Sequence, residues 1–85
     1  LNKLQILADD NYTAVYKEGV KVFEDDSYGH ENLLRVLGYE VEIIYPEDFS
    51  EEEYTYNDNG DSFYKGKMIW CNDGSGFVKE WPFED

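Results

Sequence analysis

Ser27-Tyr-Gly-His-Glu-Asn-Leu-Leu-Arg-Val-Leu-Gly38-Tyr-Glu-Val-Glu-Ile-Ile-Tyr-Pro46 is the stretch on which the fold turns. Its apolar period changes halfway. Leu33, Leu34 and Leu37 fall at helical spacing with His30. The period then drops to two, with Val41, Ile43 and Tyr45 alternating against Glu40, Glu42 and Ile44. Gly38 stands at the change, where a glycine can take the left-handed backbone that ends a helix. Asp26 or Ser27 is placed to cap the helix, and Glu31 lies near its positive end. Pro46 stops the strand because it has no N–H to give a ladder. The spacing predicts a helix over about residues 28–37 and a strand over 39–45.

Upstream, residues 3–8 read as a short strand closed by the turn residues Asp9, Asp10 and Asn11. Residues 12–17 and 20–24 alternate around Glu18-Gly19 and predict a hairpin with apolar groups on both faces. Downstream, Ser50-Glu-Glu-Glu suits a single helical turn and Tyr54-Thr-Tyr a short strand. Residues 62–70 read as one strand bulged at Gly66, followed by the glycine-rich turn 72–76 and a last strand over 77–81. The expected architecture is α+β: a mostly antiparallel sheet of about five strands with one helix packed on it, in a single domain spanning residues 1–85.

Eighty-five residues lie near the lower size at which one core stands alone. Aromatic residues make up 18%, enough apolar area to build that core despite a polar average. Trp70 and Trp81 are its expected anchors. No apolar run is long enough for a membrane helix, and no leader is visible, so the expected compartment is the cytoplasm. The single cysteine, Cys71, excludes an intrachain disulfide.

Charge carries the functional expectation. Twenty acids stand against seven bases, a net charge of −13, which repels nucleic acid and anionic membranes and attracts basic surfaces. The acids are unevenly placed. Residues 36–64 contain no Lys or Arg and hold nine acids: Glu40, Glu42, Glu47, Asp48, Glu51, Glu52, Glu53, Asp58 and Asp61. Gathering one sign costs stability, and it focuses a field that steers a basic partner. Nucleic-acid-binding proteins carry such basic surfaces. Duplex DNA presents one charge per ~3.4 Å on each strand. Alternate acids on a strand, as at Glu40 and Glu42, fall ~6.6 Å apart. The loop 47–53 beside that strand can supply a second row. Tyr54 and Tyr56 lie inside the acidic stretch and suit either a binding surface or the core.

Several sharper motifs fail. In Thr55-Tyr-Asn-Asp-Asn-Gly-Asp, alignment of Gly60 to the calcium-loop glycine puts Thr55 and Gly66 where Asp and Glu are required. Gly74-Ser-Gly76 lacks the following Lys and helix of a phosphate loop. One His and one Cys are too few for a zinc site. The sequence therefore predicts no catalytic residue, no metal site and no cofactor. In profile (short, acidic, aromatic-rich, α+β) the chain is similar to phage-encoded inhibitors of host nucleases and to bacterial immunity proteins or antitoxins. That likeness is carried by no motif. The expectation is a DNA-mimic inhibitor acting through the nine acids with Tyr54 and Tyr56, in a bacterial host cell if phage-encoded. The alternatives are an immunity protein for a basic toxin, or an accessory subunit that binds through an exposed sheet edge.

Overall fold

A computed structural model describes residues 3–9, 12–26 and 30–83, with the backbone alone of His30. Among the described residues the fold is α+β, with eight strands in two four-stranded sheets and one short helix. The class agrees with the sequence, and the single sheet is replaced by two. The predicted cap at Ser27 and the first residues of the predicted helix lie outside the described residues.

The first sheet has the order β3-β2-β1-β4, formed by β1 (Lys3–Asp9), β2 (Tyr12–Lys17), β3 (Val20–Asp25) and β4 (Glu40–Ile44). β1, β2 and β3 form an antiparallel meander, and β4 runs parallel to β1, with Leu4 opposite Val41 and Ile6 opposite Ile43. A parallel neighbour needs a crossover. The helix α1 (His30–Val36) supplies it. Gly38 ends the helix with φ of 98°. Its N–H donates to the Arg35 carbonyl, and the Tyr39 N–H donates to that of Leu34, both at 3.0 Å. These are the two bonds of a Schellman stop. The same turn drops Leu34 and Tyr39 together onto Leu4, Ile6, Ala8 and Val15, the core on this face.

The second sheet, β5-β6-β7-β8, covers the opposite face. Its strands are β5 (Tyr54–Tyr56), β6 (Ser62–Tyr64), β7 (Lys67–Cys71) and β8 (Gly76–Phe77). Leu7, Ala14, Tyr16 and Phe77 are buried between the sheets, with Tyr12, Ile44, Trp70, Trp81 and Phe83 packed round them. The rings meet edge to face: Tyr12 on Trp70 at 5.1 Å, Tyr16 on Trp81 at 5.2 Å, and Tyr64 on Phe83 at 4.9 Å. This geometry sets the positive edge of one ring against the negative face of the next. Because β2 lies between two cores, Thr13, Ala14, Val15 and Tyr16 are all buried, and of the predicted hairpin β2 alone has both faces inward.

Two strand predictions are corrected. Residues 62–70 form a hairpin in place of one bulged strand. Lys65 and Gly66 both take positive φ, 49° and 82°. That is the two-residue turn whose twist matches paired strands. The predicted last strand, 77–81, is divided between the sheets. Gly76–Phe77 pair with β7. The chain then passes to β3, where Lys21 N–H donates to Lys79 O at 2.7 Å and Trp81 N–H to Gly19 O at 2.8 Å.

A charged clamp holds that crossing. Lys21 Nζ lies 2.6 Å from Glu24 Oε1 and donates to the Phe77 carbonyl at 2.7 Å, while Glu24 Oε2 accepts the Phe77 N–H at 2.8 Å. Deeper in, the Tyr16 hydroxyl donates to the Val78 carbonyl. Burial, with Glu24 nearby, pushes the Tyr16 phenol above its ordinary pKa.

Candidate functional site

β1, β3 and β4 all run the same way, so their C-terminal ends meet at one end of the first sheet. Each strand is followed there by acids: Asp9 closes β1, Asp26 follows β3, and Glu47 follows β4 in a 3₁₀ turn, Pro46–Asp48. The second sheet brings Tyr54 and Tyr56 from β5 and Trp70 from β7 to the same place. Together with Tyr12 they line a cleft of about 560 Å³. Among the described residues its lining contains no Lys or Arg.

The cleft's aromatic walls are set by pairs. Tyr54 and Tyr56 share one side of β5, as residues two apart must, with ring centres 5.0 Å apart and planes at 63°. Tyr12 and Trp70 cross at 86°. Tyr56 is 67% exposed, while Tyr54 is half-buried. Burial raises the Tyr54 phenol to about 12, against the opposing effect of a hydrogen bond with Ser62, and Tyr56 and Asp9 add to the rise. Tyr12 is raised by burial and then by Glu24. Both phenols stay neutral at ordinary pH, so the carboxylates carry the cleft's charge.

The predicted site residues fall into four groups. Glu47, Tyr54 and Tyr56 reach the cleft. Glu40 and Glu42 share a face of β4, Glu40 at its far end, roughly 13 Å of strand from Ile44, and Glu42 at its middle. Glu42 is held there by Gln5 Nε2 at 3.0 Å and Lys3 Nζ at 3.7 Å. Asp48, Glu51, Glu52 and Asp58 are exposed on turns. Among the described residues no cation pairs with Glu40, Asp48, Glu51, Glu52 or Asp58.

Two of the predicted acids have internal work. Glu53 lies 3.7 Å from Lys65 and accepts from Ser50 Oγ at 3.2 Å. Asp61 ties the 57–61 turn to β7. It accepts the Asn72 N–H at 2.8 Å and Asn57 Nδ2 at 2.9 Å, and these bonds hold its carboxyl below the ordinary value. Phe49, which follows the 3₁₀ turn, packs on Tyr64 at 4.7 Å.

Sequence reading missed Asp9, Tyr12, Asp26 and Trp70 as cleft residues. The acids were visible as the residues that end each strand pattern. Their meeting depends on β1, β3 and β4 being parallel, which no local signal carries.

Among the described residues no group of three His, Cys, Asp or Glu side chains converges to hold a metal ion. No helix among them is long and apolar enough to cross a membrane. No family model, curated protein or solved structure matches the chain.

Proposed function

We propose that this protein is a non-catalytic inhibitor that occupies the basic, nucleic-acid-binding surface of another protein, such as a defence nuclease, by presenting carboxylates in place of phosphates. The observation that carries the reading is the one-signed surface of residues 36–64. Seven of its nine acids are exposed, and five of those have no cationic partner among the described residues. An ordinary solvated surface mixes signs, since like charges repel and interspersed pairs stabilise slightly.

Asp48, Glu51 and Glu52 are the residues to change, because no ion pair is lost with them. The protein is immobilised and exposed to bacterial lysate at low salt. A retained basic protein is then measured against the variant D48K/E51K/E52K. The expected result is association slowed at least tenfold, with a melting temperature no lower than that of the parent. Unchanged association in the folded variant rejects this surface.

A second reading has its own observation. α1 is about 10 Å long and crosses a sheet about 14 Å wide, so it cannot cover it. Val22, Phe23, Leu33 and Leu37 are left exposed along one groove. A groove of about 350 Å³ runs between α1 and β3 there. Large apolar patches mark protein contacts. An accessory subunit would bind through this face rather than through the edge of β3, whose first residues are already paired by residues 79–81. Such binding persists at high salt, where the acidic contact is released.

A further inference from the structure

We infer that Asn59 is a site of spontaneous covalent modification: its carboxamide is lost by ring closure onto the Gly60 nitrogen, leaving an acid in the turn 57–61. The inference goes beyond the reading just proposed and needs no partner. It starts from an imbalance in that turn. Asn57 Oδ1 accepts the N–H groups of Asn59 at 3.0 Å and Asp61 at 2.9 Å, and Asn57 Nδ2 donates to Asp61 Oδ2 at 2.9 Å. Asn72 Nδ2 donates to the Asn59 carbonyl at 3.1 Å, and the Asn72 N–H donates to Asp61 Oδ1 at 2.8 Å. Gly60 is required twice over: its φ is 84°, and a Cβ there would stand 2.8 Å from Asn72 Nδ2. The side chain of Asn59 has no such task. Among the described residues it makes no hydrogen bond, and the residue is exposed.

Asparagine is a labile side chain, and the residue after it sets how labile. Asn59 alone among the chain's asparagines precedes a glycine. The attacking atom is the next residue's backbone nitrogen, and glycine brings no Cβ to obstruct it. The Gly60 nitrogen forms a bond to Asn59 Cγ, and the Cγ–Nδ2 bond breaks. The Gly60 N–H proton leaves with Nδ2 as ammonia, and a succinimide ring remains. Water then opens the ring at either carbonyl. One opening gives an aspartyl residue, the other an isoaspartyl residue whose main chain is a methylene longer. Water is the only co-reactant. The Gly60 N–H must first leave the Asn57 carbonyl, and that bond, at 3.2 Å, is at the long end of the range. Asn57 and Asn72 are held back from the same route, since each is followed by aspartate and each carboxamide is hydrogen-bonded. Conversion of Asn59 adds a negative charge to the base-free stretch 36–64. In the isoaspartyl form it also moves the Asn59 carbonyl away from Asn72, loosening one of the bonds between this turn and the end of β7.

The whole chain is aged in mildly alkaline buffer, folded and in parallel in urea. It is then cut with trypsin and read by mass spectrometry, with fragmentation that separates aspartyl from isoaspartyl residues. Asn57 and Asn59 fall in one tryptic segment, 36–65, so Asn57 is the internal reference. The expected result in the folded chain is the mass gain of amide-to-acid conversion at Asn59, with both products present, at least tenfold faster than at Asn57 or Asn72. N59S is expected to melt as the parent does and to lose the gain. The isoaspartyl fraction is expected to melt below N59D, which adds the same charge without lengthening the chain. Conversion of Asn59 in urea but not in the folded chain overturns the inference, because the turn then protects it. Conversion of Asn57 at an equal rate also overturns it, as does a product free of isoaspartate, which would mean direct hydrolysis in place of ring closure. Equal melting of the isoaspartyl fraction and N59D overturns the structural consequence.

Discussion

Gly76 is the residue on which the two sheets most narrowly depend. Its φ is 76°, and a Cβ there would run into the Glu24 carboxylate, with the Tyr12 hydroxyl 3.1 Å away. Glu24 cannot withdraw cheaply, because it holds Lys21 and the Phe77 N–H at once. G76A is therefore expected to destabilise by more than the ~1–2 kcal/mol of the left-handed backbone alone. For a domain of this size that lowers the melting temperature by roughly 4–8 °C per kcal/mol. A thermal melt checks it, and a melt like the parent's would mean the clamp contributes nothing.

Tyr54 makes the residue-scale case for pH. Its folded pKa, about 12, lies above the ordinary 10.0. Below pH 10 both folded and unfolded chains keep the proton, and the contribution to stability is whole. Between 10 and 12 the unfolded chain loses the proton first, so the contribution is lost as pH rises. Melting temperature should fall over that window, and fall less in Y54F. Equal falls in the two proteins would contradict the placement of Tyr54.

At the scale of elements, α1 separates what holds the fold from what is left uncovered. Leu34 packs on the core, whereas Leu33 is 59% exposed. L34A is expected to cost about 2 kcal/mol, the low end for a leucine truncation because the side chain is half-buried. L33A should stay within about 0.5 kcal/mol. Urea unfolding of the two variants separates them, and equal losses would place α1 in a different rotation. The helix stop was legible because Gly38 marks it in one residue. The 65–66 turn was not, since Lys65 in a left-handed conformation has no signature and Gly66 alone also fits a bulge. The division of 76–81 between two sheets was equally hidden, because alternation reports which faces are buried and not which strand lies alongside. The candidate site divides likewise. Glu47, Tyr54 and Tyr56 stood out within one acidic run, while Asp9, Tyr12, Asp26 and Trp70 join them only through tertiary topology.

For the whole molecule, charge and fold oppose one another. A net charge of −13 on 85 residues repels itself, and the aromatic packing between the sheets offsets that repulsion. Other acids are used within the fold, in clamps and turns, as Glu24 with Lys21 and Asp61 with Asn72 illustrate. Among the described residues no cation pairs with Asp48, Glu51, Glu52 or Asp58 in this way. On the proposed reading a basic partner gives that uncompensated charge a function, and association falls steeply with ionic strength. The most direct measurement is competition. A basic protein captured at low salt is bound to a labelled duplex oligonucleotide and titrated with this protein. The account predicts stoichiometric displacement of the duplex, with no complex containing all three. A stable ternary complex, or a duplex left in place at saturation, would contradict it.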